Sequence, residues 1–250
     1  MFEKLGVIAD IHGNALALEA VLRDADRRGV RRFVNLGDIL YGPLEPLKTY
    51  RILQRTNVVA SISGNQDRQI FEAGADDLRT NQTLAFVTAN LGSEPIAWLR
   101  SLPTTAVVEG RVFLCHGTPT SDTTYLLEDV SSGHPVIRVE HAIVELLGIV
   151  REPVVLCGHT HIARMVQLSS GQLIVNPGSV GVPAYDDNAP VKHLMETYSP
   201  HASYAVLEES SSSWDVSFHK IAYPWDEAAK QARHLNRKDW ARGLASGKMG

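Results

Sequence analysis

The sequence predicts an α/β protein in which two sheets pack together with helices outside. Three observations carry that expectation. The first sixty-odd residues alternate short apolar runs with helical periodicity, the rhythm of β-α-β units and a parallel sheet. The second half pairs apolar runs across short polar turns, the mark of hairpins. Metal-type side chains follow most of these runs, so the strand ends share one functional edge.

The elements follow in order. Leu5-Gly6-Val7-Ile8-Ala9 is a short continuous apolar run, as in a strand buried on both faces. After Gly13-Asn14, apolar residues recur at Leu18, Val21, Leu22 and Ala25, which is helical spacing. Arg32 to Leu36 is the next strand and ends at Gly37-Asp38. A helix is expected from Leu44 to Gln54. A third strand over Val58 to Ser63 ends at Gly64-Asn65. The crossovers between such strands are right-handed. Residues 67–102 read as helical, with Leu84, Val87 and Leu91 on one face and Ile96, Leu99 and Leu102 following.

The texture then changes. Thr105–Val108 and Val112–Cys115 flank Glu109-Gly110-Arg111 as a hairpin. Residues 118–135 are polar and irregular, and are read as a loop on the substrate side. Val139–Val150 is helical and Val154–Cys157 a strand. Ala163–Leu168 pairs with Gln172–Val175 around Ser169-Ser170-Gly171. Tyr204–Leu207 pairs with Val216–Ile221 around the run Ser210–Ser213. Residues 224–250 form a mildly basic helical tail (Lys230, Arg233, Arg237, Lys238, Arg242, Lys248), expected to be a solvated helix face. No internal repeat is visible, and residues 1–250 are expected to form a single domain.

The chain has 250 residues, of which 44% are hydrophobic, enough for a full core. A net charge of −4 and a pI near 6.2 argue against a membrane-surface or nucleic-acid polymer binder, because affinity for phosphate backbones comes mostly from Lys and Arg. No basic segment followed by an apolar stretch marks a secretory signal. No apolar run reaches the roughly 18 residues of a membrane helix. Cys115 and Cys157 are the two cysteines, each at the end of an apolar run. They read as buried free thiols of a cytoplasmic protein.

The chemistry lies in five clusters: Asp10-Ile11-His12, Gly37-Asp38, Gly64-Asn65, Cys115-His116 and Gly158-His159-Thr160-His161. In an open α/β sheet, functional groups gather beyond the carboxyl ends of the strands. Asp10, Asp38, Asn65 and His116 lie at such ends, and His159 and His161 follow the 154–157 strand. The glycines before Asp38, Asn65 and His159 permit tight turns and close backbone approach. Singly, each residue is ordinary: an Asp after a strand caps a helix, and Gly-Asn makes a turn. Together they supply carboxylates, an amide oxygen and four imidazoles. That set suffices for two divalent cations roughly 3.5–4 Å apart, the usual machinery for cleaving phosphate esters and anhydrides.

These motifs, with Gly64-Asn65-x-Asp67 and His116-Gly117, resemble the signature of the calcineurin-like metallophosphoesterases. The run Ile174-Val175-Asn176-Pro177-Gly178-Ser179 resembles their small bacterial and archaeal phosphodiesterase branch. The resemblance implies a four-layer α-β-β-α sandwich of two mixed sheets flanked by helices. It implies that Asp10, His12 and His161 hold one metal, that Asn65, His116 and His159 hold a second, and that Asp38 bridges both. It implies attack of a metal-activated hydroxide on phosphorus. Mn²⁺ is the favoured ion, and the mixed oxygen and imidazole donor set equally admits Fe²⁺, Zn²⁺, Co²⁺ or Ni²⁺. Branch members split dinucleoside polyphosphates, cyclic nucleotides and aryl diesters, so a small, nucleotidic, phosphorylated substrate is expected.

The chain departs from the family at one point. Many members carry His directly after the motif Asn and pair it with the following Asp. Here the run is Asn65-Gln66-Asp67. Gln66 cannot carry charge or donate a proton at neutral pH. General-acid assistance is typically worth about 10²–10⁴-fold, and a basic alkoxide leaving group needs it most. Asp38, Asn65, Gln66 and Asp67 are therefore the candidate catalytic residues of a phosphodiesterase or phosphoanhydride hydrolase. A specific phosphomonoesterase, a nuclease, and a non-catalytic interaction module on the same scaffold stay open as alternatives.

Other residues have two readings each. Asn14 donates to a substrate phosphate or caps the following helix. Arg68 binds phosphate or sits at the surface. Tyr41 and Thr118–Tyr125 wall the substrate site or are ordinary loops. Asn176 orders the site backbone or orients a ligand histidine.

Overall fold

The structure, a computed structural model, describes residues 4–210 and 213–250. Fourteen strands and nine helices are seen among them. The strands are β1 (Leu5–Ile8), β2 (Arg32–Asn35), β3 (Val58–Ser61), β4 (Thr105–Val108), β5 (Val112–Cys115), β6 (Glu128–Asp129), β7 (Val136–Ile137), β8 (Val154–Leu156), β9 (Arg164–Gln167), β10 (Leu173–Asn176), β11 (Ala184–Asp187), β12 (His193–Glu196), β13 (Ala202–Glu209) and β14 (Trp214–Ile221). The helices are α1 (Ala15–Arg27), α2 (Pro46–Leu53), α3 (Asn65–Glu72), α4 (Ala75–Thr80), α5 (Gln82–Leu91), α6 (Ser93–Ser101), α7 (Glu140–Leu147), α8 (Trp225–His234) and α9 (Lys238–Ser246).

Two five-stranded mixed sheets form, in the orders β14-β13-β1-β2-β3 and β4-β5-β8-β10-β9. In the first, β1, β2 and β3 run parallel, and β13 and β14 extend it antiparallel. In the second, β5, β8 and β10 run parallel, with β4 and β9 as antiparallel edges. The parallel strands β1, β2, β3, β5 and β8 end at the ligand clusters, and β10 ends at Asn176.

Strand alternation sorts the core into layers. Val7, Val34, Leu114, Leu156 and Val175 point inward and pack sheet on sheet. Ile8 and Phe33 point outward into a cluster with Leu18 and Val21 of α1, Val87 of α5, Ala229 of α8 and Leu244 of α9. On the opposite outer face Cys115, Val155 and Ile174 meet Ile143 and Leu147 of α7. The result is the expected four-layer sandwich.

Residues 67–102 are helical as expected and divide into four short helices, interrupted at Gly74, Asn81 and Gly92. Asn81 leaves the helical region and caps α5 by accepting from Leu84 N at 3.0 Å, and Gly92 turns at φ +75°. The β11–β12 hairpin had no counterpart in the sequence reading, because Asp186-Asp187-Asn188 breaks any apolar alternation. Ser211 and Ser212, in the expected turn of the β13–β14 hairpin, lie outside the described residues. Both cysteines are free and buried.

Candidate metal centre

The five clusters converge. Asp10, His12 and His161 form one group of donor atoms within 4.8 Å of one another, and Asp38, His116 and His159 form a second. Asn65 joins the second group, its Oδ1 lying 3.0 Å from His116 Nε2. Asp38 Oδ2 lies 3.5 Å from His116 Nε2 and 4.0 Å from His12 Nε2, so one oxygen faces both groups.

Backbone geometry presents these side chains. Five of the eight non-glycine residues with positive φ among the described residues are Asp10, His12, Asp38, His159 and His161. Left-handed backbone costs an L-residue roughly 1–2 kcal/mol, and such residues cluster at functional sites. The strain falls on the ligands themselves more than on the preceding glycines. Of Gly37, Gly64 and Gly158, Gly37 alone has positive φ. Gly64 provides close approach instead: a Cβ there would lie 2.2 Å from Asp38 Oδ1.

The donor set fits cations. His12, His116 and His161 each direct Nδ1 at a backbone carbonyl: Tyr41 O at 3.1 Å, Leu36 O at 2.7 Å and Val182 O at 2.6 Å. With Nδ1–H donating, Nε2 of neutral His12 and His161 is left as a lone pair. His12 Nε2 and His161 Nε2 then face each other at 3.1 Å. Two lone pairs at that separation need a cation between them, whether a proton or a metal. Asp10 Oδ1 points at the same place, 3.4 Å from His161 Nε2, buried and with no hydrogen-bond partner. An orphaned buried carboxylate oxygen costs free energy unless a ligand satisfies it.

Electrostatics agree. Burial alone would raise the Asp10 carboxyl, but His161 and His116 outweigh it and hold it below the usual carboxylate range. Asp38 is likewise lowered against its burial, chiefly by His116. Burial opposes charge on His116, yet Asp38 pushes it up to about 10, so a cation bound there would have to displace its proton. Burial and a neighbouring imidazole bring His12 and His159 down to about 4, which keeps them neutral as ligands must be.

The loops are clamped from behind. Asn176 donates to Gly158 O at 2.8 Å and to Thr160 Oγ1 at 3.0 Å, and accepts from Gly178 N at 2.9 Å. Ser179 Oγ donates to Asp10 O at 2.8 Å. Asn176 thus orders the backbone of the site, one of its two expected readings.

Three other candidate residues are placed as follows. Asn14 does not face the centre. It accepts from Ala17 N at 3.1 Å as the cap of α1 and donates to Gly181 O and Tyr223 OH. Arg68 is chelated by Asp122 at 2.8 and 3.1 Å and also contacts Glu72, so its charge is committed within the protein. Asp67 is fully buried and accepts from Ile39 N, Leu40 N and Gly64 N, which ties the Asp38 loop to the start of α3. Both carboxylate oxygens of Asp67 are thereby engaged by backbone N–H groups. Gln66 does line the open cavity at the centre. Its backbone N–H donates to Asp38 Oδ1 at 2.9 Å, and its Oε1 is buried without a partner.

Burial and the charge of Asp38 push Asp67 up to about 7, against its three backbone donors. Its folded value thus exceeds the ordinary 3.8, so its contribution to stability is complete below pH 3.8 and lost as pH rises through about 7. In chelator, the melting temperature of wild type relative to Asp67→Asn is expected to fall between pH 4 and 8. A difference independent of pH would contradict this.

The cavity, about 170 Å³, is lined by His12, Asp38, Asn65, Gln66, His159 and His161 below. Tyr41 lies at its side, one of its two expected readings. The other wall is not Thr118–Tyr125, of which Thr118–Asp122 line a separate cavity with Arg68. It comes from β11 and the C-terminal tail: Ala184–Asp187, Arg237, Asp239, Trp240 and Met249. Tyr185, whose ring packs on His161 at 4.6 Å, and Trp240 escaped the sequence reading. A tryptophan in a basic helix was the one available signal. The buried Ala229, Ala232, Ala241 and Leu244 show that the tail is more than a solvated face.

Comparison with known proteins agrees with this geometry. The sequence pattern of the calcineurin-like phosphoesterase superfamily domain matches residues 4–199. An uncharacterized protein of Methanocaldococcus jannaschii is 26% identical, with 94% of each chain covered. A crystal structure of a metallophosphoesterase from Sphaerobacter thermophilus superposes with a TM-score of 0.74 at 25% identity, covering 98% of this chain and all of that one. A hypothetical protein from Pyrococcus horikoshii gives 0.74 at 20% identity, with 99% of each chain covered. With the pattern matched over most of its length and the fold shared throughout, this chain belongs to the calcineurin-like phosphoesterase superfamily.

Proposed function

We propose that this chain is a dinuclear-metal phosphodiesterase or phosphoanhydride hydrolase of the cytoplasm, acting on a small nucleotide-type substrate, with Mn²⁺ as the favoured ion. The observation that carries it is the pair of donor groups facing one Asp38 oxygen in a cavity where Gln66 stands in place of an acidic ring. Asp10, His12 and His161 would hold one ion, Asn65, His116 and His159 the other, and Asp38 both. Bound there, divalent cations supply an activated water at neutral pH and offset charge on the phosphoryl oxygens.

The residues of the chain do the rest. The carbonyls of Tyr41, Leu36 and Val182 fix the tautomer and direction of three imidazoles. The first turn of α3 orients Asp38 through the Gln66 N–H. The Gln66 carboxamide can hydrogen-bond a phosphoryl oxygen but cannot protonate a leaving oxygen. Substrates must then carry a leaving group that departs as a stable anion, which favours diesters and anhydrides over alkyl monoesters. Residues 1–250 act as one functional unit in this proposal, because Arg237, Asp239, Trp240 and Met249 of the tail line the cavity.

The test compares bis-p-nitrophenyl phosphate with an alkyl monoester, glycerol 2-phosphate, whose alkoxide leaving group needs a proton, on metal-stripped protein resupplied with Mn²⁺. Metal-dependent diester cleavage with little monoester cleavage is expected. Equal rates would overturn the diester preference. Gln66→His is expected to raise monoester turnover by roughly 10–100-fold, and no gain would sink the account of Gln66. No turnover of either ester would favour the interaction-module alternative.

A further inference from the structure

The cavity wall built by the C-terminal tail says what is attached to the phosphate. We propose that Trp240 seats a planar ring, and that the site takes esters with a single phosphate rather than polyphosphates, which narrows the proposed function to its phosphodiesterase half. This rests on the hydrolase reading above.

The indole of Trp240 stands edge-on to the ring of His12, 5.6 Å between centroids and 82° between planes. It lies 6.4 Å from the ring of Tyr41. An aromatic surface therefore begins directly beside a candidate metal ligand. The hydroxyls of Tyr41 and Tyr185 are already bonded, to Asn81 and to His159 O, so these side chains offer the cavity their rings. Rings meet rings edge-to-face or offset-stacked at such distances.

The wall is fixed rather than trailing. Gly243 of α9 packs so closely on β11 that a Cβ would lie 2.6 Å from Ala184 O. Tyr198 N donates to Gly247 O at 2.9 Å, and Met249 N donates to Glu196 Oε1 at 2.6 Å. Trp240 thus holds its position relative to His12 without help from a ligand. It also lies beyond residues 4–199, the span matched by the superfamily pattern.

Charge decides the number of phosphates. Arg237 is the one Lys or Arg among the described residues lining the cavity. Its guanidinium sits 5.4 Å from the Trp240 ring and is bound by Asp239, 3.0 Å from Nε to Oδ1, and by Thr83. Asp186 and Asp187 add negative charge on the same rim. One phosphate is accommodated at the centre. A second or third would lie against carboxylates with no free cation to pair with, and like charges in a walled cleft repel strongly.

The experiment uses the full-length, Mn²⁺-loaded protein. Calorimetry with AMP as probe compares wild type with Trp240→Ala and Trp240→Phe. Trp240→Ala is expected to weaken AMP binding by roughly 10-fold, the scale of base–aromatic stacking, while Trp240→Phe retains most of it. On substrates, Trp240→Ala is expected to raise KM for bis-p-nitrophenyl phosphate more than kcat falls. Diadenosine tetraphosphate should be a poor substrate for wild type, and Asp186→Lys should improve it. AMP binding indifferent to Trp240→Ala, or tetraphosphate cleavage as fast as aryl diester cleavage, would overturn the proposal. If no ester is cleaved, the hydrolase reading falls, and the AMP calorimetry still decides the role of Trp240.

Discussion

Asp38→Asn is expected to lower metal-dependent diester hydrolysis by roughly 10³-fold or more and to reduce bound metal from two ions per chain to one or none. The reason is position. Asp38 Oδ2 is the oxygen that both donor groups face, at 3.5 Å from His116 Nε2 and 4.0 Å from His12 Nε2. A shared carboxylate neutralises part of the repulsion between neighbouring dications, and a neutral amide does not. In the metal-free protein the same carboxylate holds His116 up at about 10. The substitution should therefore also lower the His116 pKa, which can be followed by its ring resonances in a titration with chelator present. Retention of two tightly bound ions by Asp38→Asn would contradict the bridging role.

Gly64→Ala is the second large effect, because it acts on the same carboxylate without removing any donor. The added methyl would lie 2.2 Å from Asp38 Oδ1 and 2.5 Å from Asp38 N. Backbone on both sides leaves little room: the Asp38 loop is tied through Asp67 to Ile39, Leu40 and Gly64, and its carboxylate accepts from Gln66 N. Overpacking of this kind costs typically about 1–3 kcal/mol. The stronger signature is expected in metal binding, with affinity down roughly 10–100-fold, as for disrupted supporting residues at other metal sites. A thermal scan and a metal titration separate the two. Unchanged affinity would show that Asp38 does not need its present place.

Much of this centre is legible in the chain. Asp10, Asp38, Asn65 and His116 follow apolar runs that become parallel strands, and parallel strands deliver their carboxyl ends to one edge. His159 and His161 arrive by the same rule. The layered core is legible too, since strand alternation sorts Val7 from Ile8 and Leu114 from Cys115. What was not legible depends on long-range contact. Nothing near Asn14 or Arg68 reveals that Gly181, Tyr223 and Asp122 take up their polar groups. Asp67 reads as a partner for its neighbour, yet the fold turns it back onto backbone N–H groups 27 and 28 residues away. The wall of the cavity was misplaced for the same reason. The polar loop at 118–125 looks like a substrate loop, whereas β11 carries acidic residues without apolar alternation, and Trp240 reaches His12 only because the tail folds back across the site.

The central claim is that two ions are held by these side chains and are needed together. It is tested most directly by titrating Mn²⁺ into metal-stripped protein while measuring both bound metal and hydrolysis of bis-p-nitrophenyl phosphate. The account predicts two equivalents per chain, with activity rising as the second site fills and absent in Asp38→Asn. Full activity at one equivalent, or hydrolysis that persists in the stripped protein, would contradict it.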